Sequence, residues 1–149
     1  MSAKSEQAVR KFGKGFNCSQ AVLSVYAEEF GLCRETALKI ACGFGGGMGR
    51  MALTCGAVTG AFMVIGLKYG NVDANEKVIK EKTYGLVREF ARRFEKRNGS
   101  SICRELLGCD ISEPEGLKSA KENDLFTSVC PGLVQDAVEI LEEMLAEDS

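Results

Sequence analysis

Between Arg50 and Lys68 lie seventeen consecutive residues without a charge, Met51 to Leu67. A stretch of that length must be buried, either in lipid or under the rest of its own chain. A membrane-spanning helix needs about 20 apolar residues. This run is shorter and rich in glycine and threonine, so it reads as a buried central helix. Ala52, Gly56 and Gly60 recur at every fourth position. On a helix that spacing makes a smooth strip against which another backbone can pack closely. Gly70 is placed to stop the helix, and the glycine run Gly43 to Gly49 turns the chain into it.

The rest of the chain also carries helical periodicity. Asn17 can cap a helix from Cys18 to Phe30, with Ala21, Val22, Val25 and Tyr26 on one face and Gly31 closing it. A short helix follows from Arg34 to Ala41. Asp73 is positioned to cap a long amphipathic helix reaching Arg97, with Ile79, Thr83, Leu86, Val87, Phe90 and Phe94 in its stripe. A short helix is expected from Cys103 to Leu107, then a weakly specified segment from Glu113 to Phe126. Pro131 at a first helical position opens the last helix, whose core face is Val134, Ala137, Val138, Leu141, Met144 and Leu145. No stretch alternates with a period of two. The expected fold is a single all-α domain over residues 1–149, a bundle of about five to seven helices.

With 45% hydrophobic and 27% charged residues and a formal net charge of −2, nothing pulls the chain globally toward nucleic acid or an anionic membrane. The segment from Glu76 to Arg97 holds eight basic and four acidic residues. The signs are mixed around an apolar stripe, the pattern of a solvated helix face rather than a nucleic-acid contact. The acids Glu139, Glu142, Glu143, Glu147 and Asp148 read the same way, and Arg92, Arg93 and Arg97 could bind a partner's carboxylates, although nothing singles them out. The opening residues lack the apolar core of a secretory signal, so a cytoplasmic location without a membrane span is expected.

The chemistry lies in the cysteines. There are seven, and there is no histidine, which removes Ser-His and Cys-His hydrolytic catalysis. Four of the seven stand at predicted helix starts: Cys18 after Asn17, Cys55 after Thr54, Cys103 after Ser101-Ile102, and Cys130 before Pro131. Helix N-termini favour thiolate over thiol through unpaired N–H groups and the helix dipole. Each placement stabilises the anion by roughly 0.3–1 kcal/mol. Four thiolates drawn together without a cation would repel, so convergence predicts disulfides or raised pKa values; with a metal it is stabilising. Four cysteines suit structural zinc or an iron–sulfur cluster. No Cys-x-x-Cys occurs, so any ligand set must come from separate elements. Gly56 and Gly60 would leave room beside such a site. The glycine run ahead of Arg50 matches the looser dinucleotide spacing only through Gly47, Gly49 and Ala52, and it follows a helix rather than a strand. It reads as a tight turn, although its N–H groups could also hold an anion or a sulfur. Cys33, Cys42 and Cys109 read as small core residues.

Together, Asn17-Cys18-Ser19-Gln20-Ala21, the run Gly43 to Gly49, the block Cys55-Gly56-Ala57-Val58-Thr59-Gly60 and the later Cys103 and Cys130 resemble the C_GCAxxG_C_C family of redox-active proteins. Thr54 stands where the family name has a glycine before the central cysteine. The resemblance runs from about Gly15 to Leu145. It implies redox or metal chemistry at Cys18, Cys55, Cys103 and Cys130, as an oxidoreductase or electron carrier working with a protein redox partner, one linked to transport. Three functional readings follow. The first is a metal or iron–sulfur centre, with zinc second to the cluster. The second is metal-free thiol–disulfide exchange. The third is an interaction module whose cysteines hold structural zinc or only pack.

Overall fold

The computed structural model describes residues 1–148, and these form helices joined by turns. Seven helices have seven residues or more: α1 (Ala3–Gly13), α2 (Cys18–Ser24), α3 (Arg34–Cys42), α4 (Gly56–Tyr69), α5 (Lys77–Asn98), α7 (Pro114–Glu122) and α9 (Cys130–Glu147). Two single-turn pieces, α6 (Cys103–Leu107) and α8 (Leu125–Ser128), complete the set. Among the described residues the only β-type pairing is one antiparallel bridge, Thr54 with Ile102. The all-α reading holds.

The uncharged run supplies the central helix. In α4, Gly56 to Ala61 are all buried, as are Val64 and Ile65. The helix packs against α2, α5 and α9, while α1 lies along α9 and α3 against α2. Gly56 and Gly60 make the close approach possible. A methyl group on Gly60 would sit 2.9 Å from the Ser19 carbonyl oxygen, and one on Gly56 would sit 3.1 Å from Cβ of Cys18. The smooth strip is thus filled by α2. On its other side α4 meets α5 through Phe62 and Phe90, edge to face at 6.0 Å, with Phe94 stacked next in line. Among the described residues no helix is long and apolar enough to cross a membrane.

Several boundaries differ from the sequence reading. The central helix begins at Gly56 rather than Met51, because Met48, Arg50 and Ala52 all have positive φ (67°, 64° and 59°) and cannot continue a right-handed helix. The first long helix stops at Ser24 instead of Phe30. Its continuation tightens into a turn and a short 3-10 segment, Glu28–Phe30, before Gly31 reverses the chain at φ 88°. Asp73 does not cap α5. The Glu76 carboxylate accepts the N–H groups of Val72 and Asp73 at 3.1 and 2.8 Å, and this loop delays the helix to Lys77. Helix α1 was not anticipated, though Ser2 caps it by accepting from the Ser5 N–H.

Nor are the C-terminal acids merely solvated, or the basic residues of α5 without partners. Arg93 reaches Glu89, Glu143 and Glu147, and Arg97 reaches Asp136, Glu139 and Glu143. Helices α5 and α9 therefore pack with an ion-pair ladder along their shared edge.

Candidate functional site

Each of the four sequence-selected cysteines stands at a helix start, and hydrogen bonds fix the starts that carry Cys18, Cys55 and Cys103. Cys18 is the first residue of α2, behind a capping box. The Asn17 Oδ1 accepts from the Gln20 N–H at 2.9 Å, and the Gln20 Oε1 accepts from the Asn17 N–H at 3.0 Å. The same two side chains reach sideways to α3, with Asn17 Nδ2 donating to the Cys42 carbonyl and Gln20 Nε2 to that of Leu38.

Cys55 occupies the N-cap of α4 and Cys103 the first position of α6. The segments leading into them run antiparallel. The Cys55 N–H donates to the Ser101 carbonyl at 2.8 Å, and the Cys103 N–H to that of Leu53 at 2.5 Å. Arg104 strengthens the junction, its Nε donating to the Ala52 carbonyl and its Nη2 to that of Met51, both at 3.0 Å. This clamp explains why residues 51 to 53 are not helical, since their carbonyls are used by Cys103 and Arg104 of α6. Cys130 opens α9, with Pro131 in the first turn, where a missing N–H costs nothing.

All four sulfur-bearing residues line one cavity of about 860 Å3. Its wall includes Phe12, Phe16, Leu107, Ile111, Phe126 and Leu133, and glycines 45, 46, 47, 49 and 56. Gly60 lies outside it, against Ser19 and Val22. Cys42 joins the lining and is exposed, whereas Cys33 is exposed elsewhere and Cys109 is half-buried. Cys42 was read as a core residue. The tie from Asn17 to its carbonyl, which brings it here, joins residues 25 apart and leaves no local pattern.

The sulfurs are not equivalent. The Cys18 thiol lies within hydrogen-bonding reach of both Cys130 and Cys55, and those contacts with burial push its pKa well up. Cys55 moves the other way. A hydrogen bond from Cys18 holds its pKa below the ordinary thiol value despite burial, helped by the N–H groups of Ala57 and Val58 in the first turn of α4. Burial, with the nearby Cys55 and Cys130 sulfurs, pushes Cys103 up to about 12. Of the two, Cys55 is therefore the sulfur that more readily gives up its proton, and Cys18 the one that holds it. Burial and sulfur contacts thus raise two of the thiol pKa values, and no disulfide joins any of the seven cysteines.

A metal centre asks for something stricter. Zinc or an iron–sulfur cluster needs sulfurs at bonding distance, about 2.3 Å for zinc, from one point. Among the described residues no group of three or more cysteine, histidine or carboxylate side chains is gathered so that it could hold a metal ion. As arranged, the donor set does not fit one.

In comparisons with known proteins, a family model described as Putative redox-active protein (C_GCAxxG_C_C) matches residues 16–144. Neither the curated proteins nor the solved structures compared with the chain include a match.

Proposed function

The chain belongs to the C_GCAxxG_C_C family, and from that membership and the paired sulfurs at the cavity we propose a two-electron thiol–disulfide redox protein, with Cys55 as the attacking sulfur and Cys18 as its resolving partner. One observation carries this reading. Cys55 and Cys18 line the same cavity from the starts of two closely packed helices, with Gly56 of α4 against Cβ of Cys18, and burial and mutual contact displace their thiol pKa values in opposite directions. A thiolate is the attacking species in exchange, and a neighbouring protonated thiol is the natural second reactant.

The step balances without an added cofactor. The Cys55 thiolate attacks one sulfur of a substrate disulfide, forming a mixed disulfide and releasing one substrate thiolate. Cys18 then gives up its proton and attacks the Cys55 sulfur. The Cys18–Cys55 disulfide forms, the second substrate thiolate leaves, and the proton from Cys18 goes to it through solvent. Two electrons pass from the protein dithiol to the substrate disulfide, and a separate dithiol reductant reverses the change in the protein.

A cluster or zinc ion on Cys18, Cys55, Cys103 and Cys130 is the competing reading, and one preparation separates the two. Protein purified without air is assayed for iron, sulfide and zinc. It is then oxidised with one equivalent of a small disulfide, and its thiols are mapped by alkylation and mass spectrometry. The expected result is loss of two thiols, Cys18 and Cys55, with five remaining of the seven. Iron with inorganic sulfide, or zinc, retained in proportion to protein and lost in Cys55→Ser would reject the proposal. So would oxidation that spares Cys55.

A further inference from the structure

The cavity carries a second set of groups that the sulfur chemistry leaves unused. Its lining contains two charged side chains, Arg50 and Lys121, and no carboxylate. Both cations are exposed, and neither takes part in an ion pair among the described residues. Beside Arg50 runs the loop of glycines 45 to 47 and 49, all four lining the cavity. From Gly46 through Arg50 every residue has positive φ, between 58° and 68°. The N–H groups of Met48, Arg50, Ala52 and Leu53 are used, donating to carbonyls of residues 44 to 47. Those of Gly45, Gly46, Gly47 and Gly49 donate to no acceptor among the described residues. A left-handed run with free N–H groups next to a guanidinium is a concavity for an anion.

Much of the remaining lining is apolar, with Phe12, Phe16, Leu106, Ile111, Phe126 and Leu133. The cysteines in it are nearly covered: Cys18 is 9% exposed, Cys55 4%, Cys103 7% and Cys130 6%. A disulfide on the surface of a folded protein cannot approach Cys55 in line through so little opening. A small molecule can enter, because about 860 Å3 is room for a ligand of drug size.

Building on Cys55 as the attacking sulfur, we propose that the loop from Gly45 to Arg50 is an anion site, and that the substrate is a small disulfide with an apolar body and an anionic end group such as a carboxylate. The anion sits on the loop amides and Arg50, with Lys121, the other cation of the lining, adding to the field. The apolar chain lies against the phenylalanines and leucines, and this brings the disulfide over Cys55.

The test pairs dithiodibutyrate with its diamide, two disulfides of the same chain length and the same reacting bond that differ in end-group charge. Oxidation of the Cys18–Cys55 pair is followed by alkylation. Charge-assisted hydrogen bonds at the end group predict that the dianion reacts about tenfold faster. The preference falls with added salt and largely disappears in Arg50→Gln, while Lys121→Gln reduces it less. Equal rates in the native protein, or a preference that neither variant reduces, overturn the anion site and leave the Cys55 proposal intact. If neither compound oxidises the pair, the Cys55 proposal fails, and the anion site is judged by binding alone. For this, Cys55→Ser protein is titrated with dithiodibutyrate, with the dispersion of its amide spectrum confirming the fold. Shifts of the Gly45, Gly46, Gly47 and Gly49 amide resonances with the dianion and not the diamide support the site; their absence rejects it.

Discussion

Across the α5–α9 seam Arg93 reaches two carboxylates and Arg97 three, Arg93 also pairs with Glu89 on its own helix, and Phe90 and Phe94 lie fully buried beneath. Around the cysteine cavity the pattern reverses. Two cations stand without acids, four loop amides lack acceptors, and groups of one kind, the thiols, are crowded together. Three residues with side chains, Met48, Arg50 and Ala52, are held at positive φ, each at a cost of about 1–2 kcal/mol. The seam is built from mutually satisfied groups and serves stability. The cavity holds its groups unsatisfied, which is the condition for binding and reacting with something else.

The sharpest way to break this comparison is to disturb the cavity wall. At Gly47 a methyl group would lie 2.6 Å from the Leu53 nitrogen and 2.7 Å from Cβ of Cys103, at φ 68°. Overpacking and left-handed strain combine, so Gly47→Ala should destabilise the protein by about 3 kcal/mol. Urea unfolding measures this, and alkylation of Cys103 should quicken as α6 is pushed outward. A loss under about 1 kcal/mol would mean the loop yields freely, and the wall would not be rigid in the sense used here.

A smaller effect is expected from alkaline pH. The folded-state pKa of Cys103 is about 12, raised by burial and by the neighbouring sulfurs, against an unfolded value of about 8.5. A raised pKa means that the folded state prefers the neutral thiol. Its contribution is complete below the unfolded value and is lost as pH rises toward 12. Cys18 acts in the same sense, whereas the lowered pKa of Cys55 favours the fold above its own titration. With two raised groups against one lowered, the thermal midpoint should fall between about pH 9 and pH 12, and Cys103→Ala should flatten that fall. A midpoint that rises through this range would reverse the assigned sulfur states.

What the sequence disclosed follows the same division. Signals within a few residues were readable: Asn17 and Gln20 start α2, Gly99 ends α5 at φ 86°, Pro131 opens α9, and α6 spans Cys103 to Leu107 as expected. The four helix-start cysteines were legible for that reason. What escaped depends on partners distant in the chain. The central helix starts late because residues 51 to 55 are clamped by residues 101 to 104. Cys42 reaches the cavity through Asn17. The acids of α9 looked merely solvated because nothing local announces that α5 will lie beside them. The unequal thiol pKa values arise from sulfurs meeting across three helices, so no single segment encodes them.

The smallest effect belongs to the seam, because exposed ion pairs contribute little each. The Arg97 side chain is 33% exposed, and its three partners are between 27% and 51% exposed. Removing it in Arg97→Ala should cost about 1 kcal/mol, a loss that shrinks as salt screens the native pairs. Acid should expose the same ladder. The Glu89 carboxyl, hydrogen-bonded by Arg92 and Arg93, titrates at about 2 instead of its usual value near 4.5. A lowered carboxyl pKa contributes stability above the unfolded value, and that contribution is lost as pH falls from about 4.5 through 2. Stability measured over this window should therefore decline in native protein and decline less in Glu89→Gln. Cys55 belongs to none of these ion pairs, so Cys55→Ser should leave the acid slope unchanged. If instead the cysteine variant altered the acid slope as much as the glutamate variant does, the two regions would be energetically one, and the contrast between a satisfied seam and an unsatisfied cavity would lose its basis.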